Sequence, residues 1–265
     1  MPVDARVWPS IGDGRLEMKT MAKFCVILPA AGKSERFGGS EKKTFSKLDG
    51  RPIFLRSIEA FLNRDDIERI ILAVAPEDIG QMKSSYGANL GFMGVKLVEG
   101  GDCRCETVRA ALSEIPAGAE FVAIHDAARP CILAERIDAV FAEAQKSGGA
   151  ILAAPLVGTI KRVGDVNVID ETVSRDHLYE AQTPQVFKKE WLLDAYQKLD
   201  ASSAREFTDD AEVVCRAGHD VSVVISDRTN IKITSKGDVT LANAILKTRP
   251  NKPVRRFGAF EEAQW

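Results

Sequence analysis

Short apolar runs recur along the chain at 24–28 (FCVIL), 70–75 (IILAVA), 95–98 (VKLV), 121–124 (FVAI) and 150–154 (AILAA). Each is too uniformly apolar for a sheet that is wet on one face, so they read as buried parallel strands. Segments of helical period separate them. Phe54, Ile58, Phe61 and Leu62 share a face after Pro52, which a first helical turn tolerates; Val108, Ala111, Leu112 and Ile115 do so after Arg104, and Ile137, Val140, Phe141 and Ala144 after Pro130. The alternation is βαβαβ and predicts one α/β domain, a single doubly wound, Rossmann-like and mostly parallel sheet, for which 265 residues suffice.

The rhythm fails in three places. Residues 1–22 hold acids, Gly and Pro without the apolar stretch of a secretory signal and read as a flexible extension, with Met21 a candidate start. Residues 249–265 are charged, Pro-containing and aperiodic, a tail, which leaves 23–248 as the domain. From about 157 to 180 the chain is polar and strand-prone at both ends, with Gly164 and Asp165 available for a turn: a β-hairpin arm leaving the sheet. Such a hairpin is marginal alone in water and needs a partner.

Several classes are disfavoured. A formal net charge of -2 and a pI near 6.0 argue against nucleic acid as a partner. With no apolar run of 18 residues, nothing is expected to span a membrane. Five cysteines in no disulfide-framework spacing suit a reducing, cytoplasmic setting, and Cys103 and Cys105 lack the second pair a metal site needs.

Open α/β sheets bind ligands outside the carboxyl ends of their strands. There the chain places PAAGKSERFGGSEKKTF (29–45), EGGDCRCETV (99–108) and HDAARP (125–130). In the first loop, small residues let backbone N–H groups approach an anion while Arg36 and Lys43 supply charge. It is neither a Walker A loop nor G-x-G-x-x-G, and composition alone leaves phosphate binding and a solvated basic turn both open. Asp126 weighs for the former. A strand-end carboxylate facing that loop suits a divalent metal that keeps several waters, although a helix cap is its ordinary alternative.

The ordered set AAG, Arg36, Lys43, GGD with Thr107, HDAARP, GTIKR, TVSRDHLYEAQTPQVF, TDDA and NIKIT resembles the 2-C-methyl-D-erythritol 4-phosphate cytidylyltransferase family over about residues 23–247. The resemblance implies CTP as co-substrate, Mg²⁺ as cofactor, an alditol phosphate as acceptor and a homodimer joined by the arms. It implies that Ala30, Ala31 and Gly32 line the CTP phosphates and base, and that Gly101, Asp102 and Thr107 read the cytosine edge. Arg36 and Lys43 would hold the α-phosphate and Asp126 the metal, with Ala127 and Arg129 shaping the pocket floor. Thr159, Arg175 and Lys232 would grip the acceptor's phosphate, the first two from the neighbouring subunit.

The first loop departs from the family pattern at Ser34, Lys42 and Thr44. Lys42 raises the question of which lysine acts, and spacing from Arg36 favours Lys43. Three rivals are a ribitol 5-phosphate cytidylyltransferase, a dinucleotide-dependent oxidoreductase and a nucleotide sensor without catalysis. The oxidoreductase would need an acid closing the second strand, where this chain reads AVAPED. His125, His177 and His219 lack ligand spacing and read as structural or exposed; Asp209 and Asp210 read as helix caps or as groups with a share in metal binding or site order, and QTPQ (182–185) as a Pro turn or part of the site floor.

Overall fold

The computed structural model describes residues 22–32, 37, 42–165, 167–200 and 207–249; the N-terminal extension, most of the first loop including Arg36, and the C-terminal tail lie outside them. Strand β1 (Phe24–Ala30) lies inside the sheet, parallel to β4 (Ile67–Val74) on one side and β6 (Phe121–Ile124) on the other. Beyond β4 lies β5 (Val95–Glu99); beyond β6 come β10 (Tyr179–Lys188), β7 (Gly149–Pro155) and β11 (Ser222–Ile225). Every strand runs the same way except β10, which is antiparallel to both neighbours.

Strand alternation explains why the apolar runs are continuous. Phe24, Val26 and Leu28 face one layer while Cys25 and Ile27 face the other, and the same split divides Ile70, Leu72 and Val74 from Ile71 and Ala73. The first layer is covered by α1 (Ile53–Glu59), α2 (Ile79–Phe92) and α4 (Ala134–Ser147), the second by α3 (Arg104–Leu112), α5 (Lys189–Lys198) and α6 (Asp210–Arg216). A third, smaller cluster joins α7 (Lys236–Lys247) to the short hairpin β2 (Lys47–Leu48) and β3 (Arg51–Pro52) through Leu48, Ile53, Ile233 and Ala242. Pro52 ends β3 and precedes α1 rather than sitting inside its first turn. α4 stops at Gly148, whose φ of +91 places it in the left-handed region and whose missing Cβ makes room for the Trp191 ring.

Two expectations change. QTPQ is not a turn: Gln182–Gln185 lie inside β10, buried between β6 and β7. Pro184 is tolerated in mid-sheet because the ladder to β7 is broken there, passing from Ala181↔Ala153 to Gln185↔Ile151. The arm is correspondingly shorter than 157–180. Its paired strands are β8 (Ile160–Val163) and β9 (Ile169–Val173), which form a two-stranded sheet of their own, and Tyr179 already belongs to the main sheet.

Candidate functional site

The carboxyl ends of β1, β5 and β6 open on a cleft of about 450 Å³ lined by Ala30, Ala31, Gly32, Lys43, Asp102, Arg104, Thr107, Asp126, Ala127 and Lys232 among others. This is the switch region where the chain leaves β5 and returns through α3 to the far side of β1.

Asp126 lies two residues beyond the end of β6 and is almost wholly buried. Its backbone N–H donates to Thr183 Oγ1 (3.0 Å), and His125 fixes that hydroxyl: Nε2–H donates to the Arg129 carbonyl (3.1 Å), so Nδ1 accepts from Thr183 (3.1 Å). Three cations surround the carboxylate. Lys232 Nζ is 2.9 Å from Oδ2, Arg129 Nε 3.3 Å from Oδ2 and Arg104 Nε 3.7 Å from Oδ1. Burial alone pushes this carboxyl up, but the charges of Lys232, Arg104 and Arg129 together outweigh it and hold it well below the usual carboxylate range. Asp126 is therefore held in its anionic form.

The three cations are held differently. Arg129 is buried and donates to the Asn230 carbonyl (2.8 Å), so it forms the floor below Asp126 rather than a wall of the cleft. Arg104 contacts Asp210 Oδ2 through Nη2 at 2.6 Å, close for an ion pair though not aligned as a hydrogen bond. Lys232, from the segment before α7, has a side chain 40% exposed and is the one of the three that can readily move.

Lys42 and Lys43 part company. Lys42 turns to the end of β4, where its Nζ contacts Asp78 Oδ1 (2.7 Å) and Glu77 Oε1 (3.0 Å), while Lys43 lines the cleft. The acids after β4 are thus committed to a lysine of the first loop, which removes them as a ribose clamp.

The GGD loop is built for close packing. A Cβ on Gly101 would come within 2.4 Å of Glu106 Cβ, and one on Gly100 within 2.8 Å of Thr107 Cγ2. Thr107 accepts from Gly101 N (3.3 Å) and donates to the Cys103 carbonyl (2.9 Å), and Glu106 Oε2 accepts from Asp102 N (2.9 Å). Thr107 and Asp102 line the cleft and Gly101 sits beside them. Thr159 and Arg175 do not reach it. Both are exposed on the arm, where Arg175 Nη1 donates to the Val157 carbonyl.

Sequence reasoning passed over Arg104 and left Asp210 undecided. Asp209 is the cap, accepting from Glu212 N (3.0 Å), whereas Asp210 has no exposure and carries Arg104 and the Tyr196 hydroxyl. Two acids in succession before a helix, one more than a cap needs, were the available signal.

Among the described residues no cluster of three or more His, Cys, Asp or Glu could hold a metal. Asp126 alone fits a hard cation that takes its other ligands from phosphate and water, and not a resident metal in a protein cage.

A strand-end cleft with small residues at Ala30 to Gly32, an ionised carboxylate and several cations suits a polyphosphate substrate, as the nucleotidyltransferase class of enzymes requires. Residues 24–248 match the family model of 2-C-methyl-D-erythritol 4-phosphate cytidylyltransferase, and the chain belongs to that family. A relative of that name from Rhodopirellula baltica is 40% identical over 241 residues, covering 86% of this chain and 97% of its own. One from Alkaliphilus oremlandii is 36% identical over 233 residues, covering 88% and 98%. The crystal structure of the Francisella tularensis enzyme of that name superposes with a TM-score of 0.71 at 28% identity, covering 84% of this chain and 100% of that one. No helix among the described residues is long and apolar enough to cross a membrane.

Proposed function

We propose that this chain transfers CMP from CTP to 2-C-methyl-D-erythritol 4-phosphate, releasing pyrophosphate, in non-mevalonate isoprenoid biosynthesis. The observation that carries the reading is the ionised Asp126 ringed by Lys232, Arg129 and Arg104 in the cleft that Lys43 also lines. Family membership favours methylerythritol phosphate over ribitol phosphate as acceptor.

The acceptor's phosphate oxygen is already an anion, so no general base is required. It attacks the α-phosphorus in line and pyrophosphate departs. Ala30, Ala31 and Gly32 give the triphosphate a wall without bulky side chains, and Gly101, Asp102 and Thr107 offer acceptors to the cytosine amino group. Arg36 and Lys43 hold the α-phosphate and offset its growing charge; losing one such group typically costs about 3 kcal/mol of barrier, about a hundredfold in rate. Asp126, with Ala127 and Arg129 shaping its surroundings, would hold a Mg²⁺ delivered with the nucleotide, whose chemistry is to screen the phosphate charge. Lys232 then trades Asp126 for the acceptor's phosphate.

Thr159 and Arg175 complete the acceptor site from a second subunit. Support comes from the arm itself: a two-stranded sheet that exposes Val157, Val163, Val168 and Ile169 has little to bury within its own chain. A cytoplasmic setting is consistent with five free cysteines.

The test is pyrophosphate release with CTP, Mg²⁺ and each alditol phosphate. Turnover is expected with methylerythritol phosphate. Faster turnover with ribitol 5-phosphate would replace the acceptor, and CTP binding without release would leave a sensor.

A further inference from the structure

We propose that Asp210, which has no exposure and lines no part of the cleft, is a positioning residue that draws Arg104 off Asp126 and so leaves Asp126 open to the metal-bound triphosphate. This rests on the reading of Asp126 given above.

Arg104 opens α3 with two carboxylates in reach. An arginine beside one carboxylate closes on it as a two-bond fork, at about 2.7–2.9 Å. Here Nε stays 3.7 Å from Asp126 while Nη2 lies 2.6 Å from Asp210, so the short contact goes to the acid outside the cleft. Nη1 is buried without a hydrogen-bond partner, so the guanidinium closes as a two-bond fork on neither acid.

Asp210 is fixed from several sides. Tyr196 Oη donates to its Oδ1 (2.6 Å), and the N–H groups of Asp210 and Ala211 both donate to Gln185 Oε1 (3.0 Å each). Gln185 Nε2 in turn donates to Asp209 Oδ2 (2.9 Å). Because Asp209 already caps α6, starting the helix does not call for a charge at 210. A carboxylate buried there carries a desolvation cost, and its partners are Tyr196 and Arg104.

Without that charge, Arg104 closes on Asp126. With Lys232 and Arg129 already on Oδ2, both oxygens of Asp126 would then be engaged. Binding of the bare nucleotide does not need Asp126 free; binding of the Mg²⁺ complex does.

The experiment compares CTP affinity with and without Mg²⁺ by calorimetry. For Asp210→Asn, the gain that Mg²⁺ gives should fall about tenfold, the effect of one charge-assisted contact, while affinity without Mg²⁺ changes by less than about twofold. Adding Arg104→Met should restore the gain, because no guanidinium is left to close on Asp126. Tyr196→Phe removes one support of Asp210 and should shift the gain in the same direction by less, which keeps the test open if Asp210→Asn does not fold. Equal losses with and without Mg²⁺, or a double variant no better than Asp210→Asn, overturn the proposal. Asp126→Asn separates the two readings. If it keeps the full gain, the metal reading of Asp126 fails; if it loses the gain while Asp210→Asn keeps it, only the positioning role fails.

Discussion

Acidification should destabilise this fold in a window that belongs to one side chain. Burial depresses the His125 pKa from 6.5 to about 4, against the opposing pull of the Arg129 carbonyl and the Asp126 charge. The unfolded chain takes up a proton below pH 6.5 and the folded chain does not until about pH 4, so stability is intact above the upper value and falls with pH between the two. At about 1.4 kcal/mol for each pH unit, the whole window is worth about 3 kcal/mol, a sizeable part of an ordinary domain's stability. The carboxylates with depressed values, Asp126, Asp227 and Asp238, begin to lose their contribution only below about pH 5, so among the groups with a resolved shift the slope above that pH is left to His125. Urea unfolding in metal-free buffer at pH 7, 6, 5 and 4.5 measures the slope, and His125→Asn should flatten it whatever it costs at neutral pH. A wild-type stability that stays level between pH 6.5 and 4.5, or a slope that survives in His125→Asn, would refute the reasoning.

Lys43→Ala should lower pyrophosphate release about a hundredfold and Lys42→Ala by less than about threefold, because Asp78 and Glu77 hold Lys42 away from the cleft; the reverse order in a steady-state assay would assign the α-phosphate to Lys42. Gly148→Ala puts a side chain at φ +91 and a Cβ 2.3 Å from the Trp191 ring, and should cost about 2–4 kcal/mol in urea unfolding; a cost under about 1 kcal/mol would mean that Trp191 swings clear. In the proposed dimer with exchanged arms, Lys43→Ala and Arg175→Ala should each be nearly inactive alone, yet random re-pairing of equal amounts makes about half the dimers mixed and restores about a quarter of all sites. With subunit exchange verified, no recovery would place both residues in one chain's site.

The inner parallel strands β1, β4, β6 and β7 were legible because both of their faces are covered, which makes their sequences short, nearly uninterrupted apolar runs. α4 was legible for the related reason that Ile137, Val140, Phe141 and Ala144 are all buried. α2 was not, since only Met82 and Leu90 of its fourteen residues are buried and Gly80, Gly87 and Gly91 weaken its helical character. β10 was hidden by Pro184 and by polar residues turned inward, which only the break in the ladder to β7 makes compatible with a strand. In the site, short motifs marked the loops because a strand end fixes their place. The link from Arg104 to Asp210 left no such mark: it joins positions far apart in the chain through a charge contact, and charge contacts have no period.

β10 gives the molecule an uneven tolerance for change in chain length. The arm's tip, where Gly164 and Val168 and then Asn167 and Gly164 are joined by backbone hydrogen bonds, can gain residues for little more than the entropy of a longer loop. From Tyr179 to Lys188 the same chain touches the site repeatedly: the Ala181 carbonyl accepts from Arg129, Thr183 holds Asp126 and Gln185 holds Asp210. Removing a single residue there would exchange the faces of Val186 and Phe187 and withdraw those contacts in one slip. Lineages carrying this fold are thus free to lengthen or shorten the tip but must inherit the returning strand at fixed length, so insertions and deletions among relatives should cluster on one side of Tyr179.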